Sequence, residues 1–205
     1  MNTQQFWTWF QKLEKKYYYH NKLSSEEFLN RIKEFRINLL EVNKYFGYII
    51  KFKNDKSMLG EIIITAYGNK EIYQDVEAFV NEAPLLNHWK VIAFLQPSED
   101  YKKFKEYIKE DFDIALTKLY FQPVKYYKTT KKFKLHFYSD QDLSIHHSKD
   151  LKALVIEILA NYLGEKYLYE KIKDIKVYKN NRNRGRTYPF FRIKHCLKKR
   201  SKYGL

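Results

Sequence analysis

The sequence predicts an α+β fold in which two N-terminal helices pack beside a mixed sheet of about six strands. Residues 60–95 have the pattern of a strand, a helix and a second strand, an order that most often forms a parallel crossover unit. An additional strand precedes this segment, and the same strand–strand–helix–strand order recurs over residues 114–178. A mixed α/β arrangement remains open, as does a duplication of the repeated unit.

Residues 1–44 are predicted to form a helical hairpin. The apolar face of a first helix over residues 3–19 consists of Phe6, Phe10, Leu13 and Tyr17. Trp7 and Trp9 fall outside this face, so they form either an aromatic contact surface or the second side of a helix covered twice. Ser24 and Glu27 have the spacing of a capping box, and an apolar helical stripe follows them to about residue 43.

The segment 60–95 is the most regular part of the chain. Residues 62–66 are apolar and mostly β-branched, which predicts a strand buried on both faces. Asn69 is placed to cap a helix whose apolar stripe consists of Ile72, Val76, Phe79, Val80 and Ala83. Pro84 ends this helix, and residues 91–95 form the second strand. Residues 46–53 are predicted to pair antiparallel with the first strand.

The second half of the chain gives weaker patterns. A charged helix is expected over residues 101–111, and residues 114–127 favour a strand in which Pro123 requires an edge position, a bulge or a break. Apolar and polar residues alternate over 133–138, as in a half-exposed strand. A helix from Ser148 to about Gly164, a short strand over 174–178 and a final helix after Pro189 complete the prediction.

We therefore expect one domain over residues 1–205. Within it, the helical hairpin is followed by the two strand–strand–helix–strand units at 45–97 and 112–178. The last part, residues 179–205, is a basic segment that ends in a helix.

The charge of the chain is unevenly distributed. The net charge is +15, and residues 179–205 contain ten basic residues and no acidic one. The single Cys196 excludes an internal disulfide and fits a reducing compartment. The sequence contains no signal-peptide pattern and no apolar run of membrane-spanning length, so we expect a cytoplasmic protein without a membrane partner.

The basic C-terminal segment is a candidate site for an anionic partner, with nucleic acid first and an acidic protein second. Arginine forms bidentate contacts with phosphate, and five of the ten cations of this segment are arginines in an otherwise lysine-rich protein. The candidate residues are Arg182, Arg184, Arg186, Arg192, Lys198, Lys199 and Arg200. The alternative is a solvated tail whose cations favour the helix dipole.

A metal site is the other chemical hypothesis. His146, His147 and Asp150 lie close together in the sequence, and His136 lies on the strand before them. Imidazole and carboxylate groups suit zinc or another divalent ion. The alternative is a solvated loop before a helix cap, and no organic cofactor is indicated because the chain lacks both the dinucleotide and the phosphate-loop fingerprints.

Several short phrases of the sequence resemble a family of bacterial proteins of the Bacteroidetes type, to which no activity is assigned. They include Phe6-Trp7-x-Trp9-Phe10, residues 64–71, Ala83-Pro84 followed by residues 89–94, and residues 162–165. The resemblance spans most of the chain but implies no catalytic residues. The terminal segment is more basic here than that resemblance leads one to expect.

Three functions follow from these patterns. The first is a non-enzymatic interaction or accessory protein that binds another macromolecule, since we find no nucleophile–base pair. The second is a nucleic-acid-associated protein that uses the basic segment. The third is a metal-dependent enzyme that uses His136, His146 and His147.

Overall fold

A computed structural model describes residues 1–52, 59–141, 148–178 and 185–203. The chain divides into two compact units, Met1–Leu95 and Gln96–Leu205, which are described separately below. The predicted α+β class is confirmed. The strands, however, form one sheet of three strands and another of four, where the sequence led us to expect one sheet.

The unit Met1–Leu95 contains three helices and three strands within its described residues. The helices are α1 (Thr3–Tyr18), α2 (Ser25–Val42) and α3 (Tyr73–Asn81), and the strands are β1 (Gly47–Lys51), β2 (Gly60–Thr65) and β3 (Trp89–Ala93). The sheet order is β1-β2-β3, with β1 antiparallel and β3 parallel to β2. Three consecutive isoleucines of β2, residues 62–64, are buried, as predicted for a strand covered on both faces.

Local sequence signals set the ends of these elements. The Ser24 hydroxyl accepts a hydrogen bond from the backbone N–H of Glu27, and the Glu27 carboxylate accepts one from the backbone N–H of Ser24. The predicted capping box is therefore confirmed. The side chain of Asn69 accepts a hydrogen bond from the N–H of Glu71 and caps the short 3₁₀ turn that leads into α3.

The core of this unit is aromatic. Phe6, Phe10, Phe35 and Phe79 are buried, and their rings contact one another through edge-on and tilted arrangements. Trp7 is only 2% exposed, and its indole N–H donates a hydrogen bond to the carbonyl of Phe79 over 2.9 Å. The interpretation of Trp7 as part of a contact surface is therefore wrong. Trp9 is half-buried and packs beside Phe6, so α1 is covered on two sides.

A buried carboxylate links α1 to the segment before β3. Glu14 is buried, and its carboxylate accepts hydrogen bonds from the backbone N–H groups of Asn87 and His88. The indole N–H of Trp89 donates to the carbonyl of Glu14 over 2.9 Å. Because a buried charge is costly unless it is hydrogen-bonded, these contacts explain how an acidic residue is tolerated there.

The unit Gln96–Leu205 contains four helices and four strands within its described residues. The helices are α4 (Tyr101–Phe112), α5 (Ser148–Leu163), α6 (Glu165–Lys171) and α7 (Ile193–Tyr203), and the strands are β4 (Leu119–Tyr127), β5 (Lys132–Ser139), β6 (Ile172–Tyr178) and β7 (Tyr188–Pro189). The sheet order is β6-β5-β4-β7, with β5 antiparallel to β4 and parallel to β6. The order over this segment is strand, strand, helix, helix and strand, so the predicted elements are present and α6 is an additional helix between α5 and β6. No helix in the described ranges is both long and apolar enough to span a bilayer.

Pro123 produces a bulge in β4. The pairing of β4 with β5 shifts its register between Pro123 and Lys125, which leaves one extra residue, Val124, on β4. A bulge was one of the three outcomes predicted for this proline, because proline has no N–H to donate to the ladder. The extra residue places Lys125 and Tyr127 on the same face of the sheet as Gln122, although odd and even positions ordinarily face opposite ways.

Replacing Gly164 with alanine is expected to lower the free energy of unfolding by about 1–3 kcal/mol. Gly164 joins α5 to α6 with φ 85° and ψ 144°, a conformation in which any Cβ is strained. Urea unfolding followed by the helical circular-dichroism signal measures this loss. The matched control is Ala153→Ser on an exposed position of α5, for which we expect less than about 0.5 kcal/mol. An equal loss in both variants would contradict the argument.

Candidate nucleic-acid interface

The two faces of the four-stranded sheet differ in chemistry. One face is apolar and buried, and its central residues are Phe121, Phe133, Leu135 and Phe137. Helices α5 and α6 contact β6, and the apolar residues Leu151 and Val155 of α5 are buried. The opposite face carries polar and aromatic side chains, which are half-buried or exposed with the exception of Tyr138. We call this opposite face the open face of the sheet.

The strand registers arrange the open face as a grid of four rows. From one end of the sheet to the other, the rows are Tyr120–Tyr138–Tyr178, then Gln122–His136–Lys176, then Lys125–Lys134–Asp174, and finally Tyr127–Lys132. Strands lie about 4.8 Å apart, and residues on one face of a strand recur every 6.8 Å or so, so the grid measures about 10 Å by 20 Å. An aromatic row therefore lies at one end, and cations occupy the rows that follow.

The tyrosine row presents an aromatic surface. The rings of Tyr138 and Tyr178 are stacked, with centroids 5.1 Å apart and an interplanar angle of 10°. Tyr138 is 7% exposed, whereas Tyr178 is 38% exposed and leaves ring surface open to solvent. Burial raises the pKa of Tyr138, and the neighbouring Tyr178 raises it further, so its hydroxyl stays protonated at neutral pH. That hydroxyl donates a hydrogen bond to the Gln122 side-chain carbonyl over 3.1 Å.

His136 lies beside this row. Its ring is edge-on to Tyr178, with centroids 5.2 Å apart, and within the described residues its Nε2 atom is buried without a hydrogen-bond partner. Burial lowers the pKa of His136, and Lys134 and Lys176 lower it further, so the ring is neutral at pH 7. The aromatic end of the open face is thus uncharged. The positive charge of the open face comes from its lysines.

The cationic rows hold four lysines and one acidic residue. Lys134 and Lys152 lie 3.5 Å and 3.4 Å from the carboxylate of Asp174. Burial acts to raise the pKa of Asp174, but the two lysines and a backbone hydrogen bond outweigh it and hold the pKa below its usual range. Lys125, Lys132 and Lys176 form no ion pair among the residues that the structure describes. These three ammonium groups are therefore available to an anionic ligand.

The first described residue of the basic C-terminal segment, Gly185, lies against the same sheet. A Cβ added to Gly185 would lie 3.0 Å from the side-chain nitrogen of Gln122, which places this glycine against the second row of the grid. The next residue, Arg186, is exposed, and its guanidinium lies 5.7 Å from the ring centroid of Tyr188 on β7. Arg182 and Arg184 lie outside the described residues. Of the three predicted loop arginines, the structure thus describes Arg186 alone, and the ring that Arg186 contacts, Tyr188, pairs with Phe121 of the apolar face.

The remaining predicted cations lie on or next to α7. Arg192, Lys198 and Lys199 are exposed, whereas Ile193 and Leu197 are buried. The side chain of Arg200 lies outside the described part of α7. Lys194 differs from these residues, because its ammonium group donates a hydrogen bond to the carbonyl of Ser98 over 2.6 Å and lies 4.2 Å from the ring centroid of Tyr162. Helix α7 therefore has one docked side and one basic, exposed side.

The predicted metal site is mostly outside the described residues. His146 and His147 belong to the segment 142–147, and Asp150 is exposed in the first turn of α5. Within the described ranges, no three His, Cys, Asp or Glu side chains lie close enough together to hold a metal ion. His136 lies on the open face, where burial and the charges of Lys134 and Lys176 lower its pKa, and two positive charges do not favour a bound cation. The metal hypothesis for the histidine pair stays a prediction.

Nearly all of the net charge belongs to the unit that contains the grid. Residues 1–95 contain 13 basic and 11 acidic residues, whereas residues 96–205 contain 26 basic and 13 acidic residues. The second unit thus carries +13 of the total of +15. The positive electrostatic potential of this unit attracts polyanions at long range and strengthens any local phosphate contact.

Comparison with protein-family models, with curated proteins and with solved structures gives no match to this chain. The resemblance to a Bacteroidetes-type family therefore stays a prediction. Sequence reasoning identified the alternation on β5 but missed Tyr120, Gln122 and Tyr178 as its partners on the open face. These residues come together only through the pairing of distant strands, and the polar alternation of β5 was the one signal of an exposed face.

Proposed function

We propose that the protein is a non-enzymatic binding protein and that the open face of its four-stranded sheet binds single-stranded nucleic acid. The row Tyr120–Tyr138–Tyr178, followed by rows of lysine, carries this proposal. Aromatic side chains on a sheet stack with unpaired bases, and lysines beside them neutralise phosphates. The grid combines both groups on one surface.

The exposed ring of Tyr178 extends an existing aromatic stack. A base laid on its outer side continues the stack that Tyr138 and Tyr178 already form. Because the two rings are ordered by the sheet and by the hydrogen bond of Tyr138 to Gln122, little side-chain entropy is lost when a base binds. The phosphates of the bound nucleic acid then lie near Lys125, Lys132 and Lys176.

Single strands fit this surface better than duplexes do. Stacking on a protein ring requires a base that has left its own stack, and bases in a duplex remain paired and stacked. The exposed cations on and next to α7, with the exposed ring of Phe191 beside Arg192, offer a second phosphate-binding surface. Any duplex binding is therefore expected at α7, with affinity set by charge alone.

Removing the three unpaired lysines of the grid should weaken binding and reduce its salt dependence. In the variant Lys125→Gln/Lys132→Gln/Lys176→Gln, we expect the slope of log affinity against log salt to become shallower by about 0.7 for each lost phosphate contact, or about 2 in total. Fluorescence anisotropy of a labelled single strand at several salt concentrations measures this slope.

The matched control removes the same charge from the other basic surface. Arg192→Gln/Lys198→Gln/Lys199→Gln lowers the net charge by the same amount but leaves the grid intact. We expect the control to retain most of its single-strand affinity. If both triple variants lose affinity and slope equally, binding is diffuse electrostatic adhesion, and the proposal for the open face is wrong.

A further inference from the structure

A cleft in the first unit has the chemistry of a small-molecule site. Its volume is about 480 Å³, which lies within the range of ligand-binding pockets. Helix α2 contributes Arg36, the connection to β1 contributes Lys44 and Tyr45, and Tyr67 follows the end of β2. The cleft therefore lies at the carboxyl end of β2, one of the two parallel strands, where open sheets commonly bind ligands.

Tyr67 has an unusual backbone conformation. Its φ angle is 48°, in the left-handed region, which a bulky side chain rarely adopts. The conformation is held by a hydrogen bond from its N–H to the Thr65 hydroxyl over 3.0 Å, and Gly68 follows with φ 81°. Strain of this kind persists where the surroundings impose it, and it concentrates at functional sites.

The ring of Tyr67 lies against Gly47. A Cβ at Gly47 would overlap the carbons of that ring, so only glycine allows the close approach. Even so, Tyr67 is 67% exposed, and Tyr45 across the cleft is also exposed. The strained backbone thus presents an aromatic ring to solvent and buries little of it.

Two cations border these rings. The ammonium group of Lys44 lies 5.0 Å from the ring centroid of Tyr45. Arg36 lines the cleft together with Tyr48, and burial and the neighbouring Tyr67 raise the pKa of Tyr48 while the Arg36 guanidinium acts in the opposite direction. Within the described parts of the chain, neither Arg36 nor Lys44 forms an ion pair.

We propose that this cleft binds a nucleoside monophosphate, with the base against the tyrosine rings and the phosphate held by Arg36 and Lys44. Exposed phenol rings offer stacking surfaces for a flat base, and a guanidinium forms bidentate contacts with phosphate. The cleft belongs to the unit Met1–Leu95 and the open face to the unit Gln96–Leu205, and the ligand proposed for each is different.

Isothermal titration calorimetry of the full chain with AMP, GMP, CMP and UMP tests the proposal. At least one nucleotide is expected to bind with a dissociation constant below about 1 mM. Adenosine and inorganic phosphate are the partial ligands, and each should bind at least about tenfold more weakly than the best nucleotide. Phosphate binding as tight as nucleotide binding would reduce the cleft to a simple anion site and overturn the assignment.

Variants locate the binding. Arg36→Gln should weaken nucleotide binding by about tenfold or more, whereas Arg31→Gln on the same helix, where Arg31 pairs with Glu34, should change it little. The triple lysine variant of the open face should bind the nucleotide normally. If that variant loses nucleotide affinity and Arg36→Gln does not, the nucleotide binds at the open face and the cleft proposal fails.

Tyr67→Gly separates a ligand-binding role from a structural one. Glycine adopts the left-handed conformation without strain, so the melting temperature should stay the same or rise while nucleotide affinity falls. A lower melting temperature with unchanged affinity would assign Tyr67 a purely structural role and contradict the proposal.

Discussion

Replacing Phe79 with alanine is expected to lower the free energy of unfolding of the unit Met1–Leu95 by about 3–5 kcal/mol. Phe79 is 2% exposed on α3, and its ring lies 4.8 Å from Trp7 and 5.2 Å from both Phe6 and Phe46, measured between centroids. Alanine would leave a cavity among these rings and remove the tilted ring contacts of Phe79. Because small domains are stable by only about 5–15 kcal/mol, the loss is a large fraction of the total.

Tryptophan fluorescence provides a readout specific to this unit. The chain contains three tryptophans, Trp7, Trp9 and Trp89, and all of them belong to Met1–Leu95. Urea unfolding followed by tryptophan emission therefore reports on this core. The matched control is Leu85→Ala, because Leu85 is 93% exposed in the loop after α3, and we expect less than about 0.5 kcal/mol. A loss below about 1 kcal/mol for Phe79→Ala would contradict the assignment of Phe79 to the core.

The local sequence was sufficient to predict a structural element where the signal for that element is short-range. The apolar run of β2, the capping box at Ser24 and the alternation on β5 each predict an element that the structure contains. Each of these signals depends on residues within one turn of helix or one strand, so no tertiary information is needed. The bulge at Pro123 belongs to the same class, since it follows from a missing N–H.

Other features depend on contacts between distant residues. The sequence does not show that the strands divide between two sheets, because that division depends on which edges pair. Strand β7 has only two residues and exists because it pairs with β4, so no periodicity indicates it. Helix α6 begins directly after Gly164, where the sequence indicated only a helix end. In each case, the missing information is a long-range contact.

The candidate site, too, could be predicted only in the part that does not depend on long-range contacts. The basic segment is visible in the charge distribution, and Gly185 of that segment does lie next to Gln122 of the grid. The tyrosine row, in contrast, unites residues 120, 138 and 178, which come from three strands and whose alignment depends on two registers. The choice between the two alternatives for Trp7 stayed open for a related reason, because helical periodicity identifies one apolar face and cannot decide whether a second face is also covered.

Replacing Tyr178 with alanine is expected to weaken single-strand binding by about 5-fold to 150-fold, which corresponds to about 1–3 kcal/mol for one stacked base. Tyr178→Phe keeps the ring and should bind within about twofold of the wild-type protein. The contribution of base stacking and the contribution of phosphate contacts can then be measured separately. Loss of Tyr178 removes stacking and should leave the salt slope unchanged, whereas loss of the three lysines reduces the slope, because only phosphate contacts release counterions.

The matched control for this stacking test is Phe191→Ala. Phe191 is 51% exposed, and the Arg192 guanidinium lies 5.9 Å from its ring centroid, so it is the aromatic residue of the competing basic surface. Fluorescence anisotropy with the same labelled single strand compares the three variants at one salt concentration. Wild-type affinity in Tyr178→Ala, or an equal loss in Phe191→Ala, would contradict stacking on the open face. A loss confined to Phe191→Ala would place the nucleic acid at the C-terminal helix, since the aromatic contact would then lie beside Arg192 and away from the tyrosine row.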